Sequence, residues 1–139
     1  MSSHEDLGRR EVLAIGAAAA AATLTATAAV ASDKPPIISA PAEARSVVVT
    51  LQLSAANADA FKDHLLKVIP VTRSASGCRY SHSYQNTKSP SEFLLIQGWD
   101  SVEQQESYIA WRAARGDLAA FRTFLAKDPI VGAFALFDA

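Results

Sequence analysis

Two stretches of this chain, Phe93-Leu94-Leu95-Ile96 and the run containing Val131, Ala133, Phe134, Leu136 and Phe137, are apolar on both faces of any strand they form. An antiparallel sheet with one wet face alternates apolar and polar residues, so strands without alternation need cover on both sides. Helices from the same chain can cover one side. A second copy presenting the same surface would cover the other, and two such sheets packed face to face make a homodimeric barrel. The alternative is that the extra apolar residues sit at the ends of the sheet.

The remaining patterns supply the helices. Val47-Val48-Val49-Thr50-Leu51-Gln52-Leu53 is β-branched at its start and alternating at its end, as in a strand with one drier face. Asn57 is placed to cap a helix on which Phe61, Leu65, Val68, Ile69 and Thr72 recur at helical spacing, opposite Lys62, Asp63 and Lys67. Pro70 has no amide donor and should kink or end that helix near its last turn. Gly77 opens a strand from Cys78 to Gln85 that alternation divides into Cys78, Tyr80, His82 and Tyr84 on one face and Arg79, Ser81, Ser83 and Gln85 on the other. The turn Asn86 to Ser91 leads into Phe93 to Trp99 and makes the pair a hairpin. Asp100-Ser101-Val102-Glu103 has the spacing of a capping box and starts a helix that reaches about Arg115, where Gly116 ends it. Asp117 can cap a short helix through Lys127, with Leu118, Phe121 and Leu125 on one stripe, and Ile130 to Phe137 is the last strand. The order β-α-β-β-α-(α)-β is the α+β, ferredoxin-like split βαβ arrangement, a four-stranded antiparallel sheet with helices on one side.

The N-terminus differs in kind. Met1 to Gly8 is polar, Arg9-Arg10 is a paired positive charge, Val12 to Val30 is uncharged and mostly Ala and Thr, and Ala29-Val30-Ala31 offers small residues for cleavage. These are the parts of a secretory signal, and adjacent arginines followed by Val12 and Leu13 resemble the twin-arginine motif, with Gly8 and Val12 where Ser and Phe are common. Residues 1–31 are therefore read as a signal peptide for the twin-arginine export machinery, cleaved near Ala31. Residues 32–46, with Pro35, Pro36 and Pro41, read as a linker, and residues 47–139 as the domain, placed in the periplasm or outside the cell. An uncleaved anchor is the rival reading, but Ala and Thr contribute too little transfer free energy for stable membrane anchoring.

Removing Arg9, Arg10, Glu5, Asp6 and Glu11 from thirteen basic and fourteen acidic residues leaves eleven of each, so the exported domain is neutral. No basic stripe remains to neutralise phosphates, which argues against a nucleic-acid partner. The single cysteine, Cys78, cannot form an internal disulfide, and the fold must rest on packing.

Gly77-Cys78-Arg79-Tyr80, the run Phe93 to Ser101, and Tyr108-Ile109-Ala110-Trp111-Arg112 followed by Arg115-Gly116-Asp117 resemble the antibiotic biosynthesis monooxygenase family. The likeness spans Val47 to Asp138. It implies a dimeric α+β barrel with a pocket between each sheet and its own helices. It also implies oxygenation of an electron-rich phenol, anthrone or quinol by molecular oxygen with no metal, flavin or other cofactor. Relatives on the same barrel degrade haem or run other reactions, so fold alone does not set the chemistry. Haem ligation is not expected, because the second helix lacks the ligating histidine and the first strand offers Thr50 and Gln52 in place of asparagine. A non-catalytic or stress-associated dimer that binds an aromatic ligand, and an isomerase or lyase, remain open.

His82 is the one histidine on a strand face with aromatic neighbours, and its ordinary pKa near 6.5 suits it to take a phenolic or enolic proton. It suits equally a hydrogen-bonded histidine at the dimer interface. Trp99 matches the tryptophan that ends the family's third strand, where it would border the pocket and stack on a flat substrate or simply fill the core. Tyr108, Trp111, Arg112 and Arg115 share one helix face, on which Arg112 could balance a substrate anion or lie over apolar surface. Tyr80, with Tyr84, could add a pocket phenol or pack in the core. Cys78 reads as a small buried hydrophobe, and His64 as solvated beside a charged helix face.

Overall fold

The computed structural model describes residues 32–138, and from Lys34 onward the chain forms one compact unit. The signal peptide expected over residues 1–31 lies outside the described residues. The elements are β1 (Val47–Ser54), α1 (Ala58–Arg73), β2 (Cys78–Gln85), β3 (Glu92–Trp99), α2 (Val102–Ala114), α3 (Asp117–Arg122) and β4 (Ile130–Ala135). The strands lie in the order β2-β3-β1-β4 with every neighbour antiparallel, which is the expected ferredoxin-like α+β arrangement.

Alternation on the two central strands fixes which side the helices cover. Val47, Val49 and Leu53 of β1 and Phe93, Leu95 and Trp99 of β3 are buried beneath them. Phe61, Leu65 and Ile69 of α1 pack on Leu53, Phe93 and Leu95, and Tyr108 and Trp111 of α2 pack with Val47, Val49 and Trp99. Burial at this spacing is what holds a helix against a sheet, at roughly 1.5–3 kcal/mol for each large apolar side chain.

Four local expectations change. Pro70 does not end α1, which runs on to Arg73; the carbonyl deprived of a donor belongs to Leu66, an exposed residue. The cap of α2 is Ser101 rather than Asp100: its hydroxyl accepts from the Gln104 amide at 3.2 Å and donates to Gln104 Oε1 at 2.9 Å, while Asp100 pairs with Arg79 at 2.6 Å. The third helix stops at Arg122 because the chain beyond it hydrogen-bonds along the end of β1, through Ala56 N to Phe124 O at 2.9 Å and Ala126 N to Ser54 O at 2.7 Å. The segment before Val47 is tied down, since Ile38 donates to Ser76 Oγ at 3.2 Å and accepts from Gln104 Nε2 at 2.9 Å.

A fifth change matters most for function. In the β2–β3 ladder Cys78 pairs with Trp99 but Tyr80 pairs with Gly98, so Arg79 is an extra residue and the strand turns over. Cys78 therefore joins the cluster around Trp99 on the helix side, and Tyr80, His82 and Tyr84 lie on the opposite face. On that face the Tyr80 ring covers Gly98 so closely that a Cβ there would come within 2.3 Å of it. The same face carries Leu94, Ile130 and Phe134, the last 61 % exposed.

Candidate functional site

A cavity of about 530 Å³ opens between the helix side of the sheet and the helices, a volume suited to a small organic molecule. Val49, Leu51 and Leu95 line it from the sheet, Leu65, Val68 and Ile69 from α1, and Tyr108 and Ile109 from α2.

Its polar wall is organised around Arg112, which is only 7 % exposed. Nε donates to Tyr108 Oη at 2.7 Å, Nη1 to Asp117 Oδ2 at 2.8 Å and Nη2 to the Val68 carbonyl at 3.0 Å. A guanidinium only donates, so Tyr108 accepts there and turns its own proton to Thr72 Oγ1 at 2.5 Å; Thr72 in turn donates to the Val68 carbonyl at 3.4 Å. Burial works against the charge of Arg112, but the hydrogen bonds to Asp117 and Tyr108 outweigh it and hold the pKa above the ordinary value. Arg112 thus joins α1, α2 and the start of α3, rather than lying over solvated surface.

His64 lines the same cavity from α1. Its ring stacks on Phe124 with centroids 4.3 Å apart. Desolvation, then the nearby positive charges of Arg112 and Lys67, push its pKa below 6.5 against the smaller opposing effect of Asp117. The imidazole is consequently unprotonated at neutral pH and able to accept a proton. Gln97, buried near the C-terminal end of β3, also lines the cavity and accepts the Trp99 indole N–H at 3.0 Å.

Of the residues singled out in the sequence, Tyr108, Arg112 and Arg115 meet at this cavity. Trp99 and Trp111 are buried in the adjoining cluster and do not line it; Arg112 and Arg115 lie over the Trp111 ring with their guanidinium carbons 5.3 and 4.7 Å from its centre. His82 and Tyr80 are not near it: they stack on each other, centroids 5.5 Å apart, on the far side of the sheet. The bulge at Arg79 and the sheet itself separate them from any ligand in the cavity. Burial also pushes the Cys78 thiol up, away from reactive thiolate.

His64 and Gln97 were the residues that sequence reasoning passed over. Both carried a signal. His64 falls three residues after Phe61 and four before Val68, on the flank of the apolar stripe, and Gln97 occupies an inward position between Leu95 and Trp99. No group of three or more metal-ligating side chains occurs among the described residues.

A fold of this shape occurs in several solved structures. A candidate antibiotic biosynthesis monooxygenase from Deinococcus radiodurans is 21 % identical with a TM-score of 0.60, matching 67 % of this chain and 94 % of its own. Rv0793 from Mycobacterium tuberculosis is 22 % identical with a TM-score of 0.52 over 68 % and 97 % of the two chains. SnoaB, a cofactor-independent oxygenase from Streptomyces nogalater, is 11 % identical with a TM-score of 0.61 over 69 % and 97 %. At these identities the likeness shows the fold. Comparison with curated proteins gives no significant match. The family model for antibiotic biosynthesis monooxygenases matches residues 45–127, more than half of the chain and every element from β1 through α3. The chain therefore belongs to the antibiotic biosynthesis monooxygenase family.

Proposed function

We propose that this protein is an exported, homodimeric, cofactor-independent monooxygenase that oxidises a small electron-rich aromatic, a quinol or polyphenol, inside the cavity beneath its helices. The observation that carries this reading is an apolar chamber of about 530 Å³ with an unprotonated histidine, His64, in its wall. Such a chamber favours a flat apolar substrate, and the histidine can remove a phenolic or enolic proton. The resulting anion is electron-rich enough to pass an electron to molecular oxygen. In the net reaction a quinol takes up one oxygen atom as a hydroxyl on the quinone product, and the other leaves as water. The substrate supplies all four electrons, so no external reductant is required. The oxygenase activity named for SnoaB supports this direction.

Oxygen uptake by the protein with a panel of quinols and polyphenols tests it. The expected result is one oxygen consumed per substrate, without hydrogen peroxide. Thermal stabilisation by the same compounds without oxygen uptake would instead make the protein a binder, and substrate conversion without uptake an isomerase or lyase.

The exposed apolar side of the sheet, where Tyr84, Leu94, Ile130 and Phe134 stand in water in the single chain, supports the dimer. A second copy is the occupant that matches it, because each copy carries the same unmet surface. The mass in dilute solution should be that of two chains, and Phe134→Lys should give a folded monomer. A monomeric parent protein removes this part of the reading.

A further inference from the structure

Gln97 has a property that the oxygenation reading does not use. The Trp99 indole nitrogen can only donate, so its 3.0 Å contact fixes the amide oxygen of Gln97 toward the indole and turns the NH₂ group the other way. Among the described residues, that NH₂ group has no protein partner. The residue is 7 % exposed and lines the cavity, so the NH₂ group is left to be met from the cavity side. The two polar groups beneath it on α2 are committed elsewhere: Arg112 to Tyr108, Asp117 and Val68, and Tyr108 to Thr72.

We propose that Gln97 is the specificity-determining residue of the cavity, binding a carbonyl or phenolate oxygen of the aromatic ligand through its amide NH₂. The assignment rests on the cavity being the ligand site. It selects ligands that carry an acceptor oxygen over hydrocarbons of the same outline, since a site built around an unmatched donor penalises a ligand that cannot accept from it. A quinol that has lost a proton, and the quinone it becomes, both carry such an oxygen. Gln97 would therefore hold the ligand in one orientation before and after reaction. Ser81 is the neighbour that competes for this role. It lies opposite Gln97 in the β2–β3 register, is fully buried, and its hydroxyl has no partner.

The test compares 1-tetralone with tetralin, two unreactive bicyclic probes that differ in the carbonyl oxygen, by calorimetric titration of the full chain. The ratio of the two dissociation constants should change about tenfold against the ketone in Gln97→Leu, with tetralin binding retained. Gln97→Glu keeps an acceptor for Trp99 while removing the donor, and should lose the ketone preference even if Gln97→Leu fails to fold. Ser81→Ala should leave the preference unchanged. If both probes bind and the ratio is the same in the parent, Gln97→Leu and Gln97→Glu proteins, Gln97 is not the determinant and the cavity reading stands without it. If the preference disappears in Ser81→Ala alone, the contact belongs to Ser81. Failure of both probes, or of the ketone alone, to bind the parent protein overturns the cavity reading itself, and this assignment with it.

Discussion

His64→Gln is expected to lower kcat/KM for the oxidised aromatic about a hundredfold, the range of general-base contributions, while leaving the fold intact. Glutamine preserves size and hydrogen bonding but cannot take up a proton. The parent enzyme should also show an acid limb, with kcat/KM falling as pH drops and a midpoint below 6.5, because desolvation and the charges of Arg112 and Lys67 disfavour the imidazolium. That limb should vanish in His64→Gln. The same shift has a consequence for stability with a definite sign. Burial lowers the folded-state pKa below the unfolded value, so below pH 6.5 the unfolded chain binds more protons. His64 therefore costs nothing above pH 6.5 and destabilises progressively as pH falls from 6.5 through its lowered folded-state value. Urea titrations of the parent and His64→Gln proteins at several pH values should diverge only on the acid side. An equal rate in parent and mutant at pH 7.5 would show that His64 is not the base.

Arg112→Ala is expected to destabilise the protein by about 3 kcal/mol, near the low end for breaking a buried ion pair. The loss stays near that low end because Asp117 is 26 % exposed and water can take up part of its charge when Arg112 is lost. What water cannot replace as well is the three-way junction from Val68 on α1 to Tyr108 on α2 to Asp117 at the start of α3. Arg112→Lys keeps a charge but not the planar fork and should recover only part of the loss. The measurement is the urea midpoint of each variant at pH 7.5. A loss below 0.5 kcal/mol in Arg112→Ala would place the guanidinium with ordinary surface arginines.

Much of the domain was legible from residue order alone. The stripe from Phe61 to Thr72 and the inward set Val47, Val49, Leu53 are patterns of spacing, and spacing survives folding. The helix cap at Asn57 was equally local, its Oδ1 accepting from the Ala60 amide at 2.9 Å. The candidate site was less legible. Tyr108 and Arg112 were found because a helix face keeps its spacing, whereas His82 was placed by counting in twos along β2. One inserted residue, Arg79, shifts the count, and no feature of the sequence announces a bulge at that point. His64 failed for a different reason: beside Lys62, Asp63 and Lys67 it looks solvated, and only tertiary packing brings Phe121 and Phe124 against its ring. Trp99 was correctly placed at the end of β3, but burial in the core, not contact with the cavity, is what the fold made of it.

The sequence by itself determined the order of elements, the layer of helices on a four-stranded sheet, and the second apolar face of that sheet, because each follows from a hydrophobic period read along a few neighbouring residues. Only the tertiary structure decided which side of the sheet each functional side chain meets and which polar groups are left without partners. Those are properties of distances between segments far apart in the chain: Arg112 of α2 reaches the Val68 carbonyl of α1, and desolvation together with the charge of Arg112 lowers the pKa of His64. No local pattern contains that information, since desolvation and charge act through space and not along the backbone.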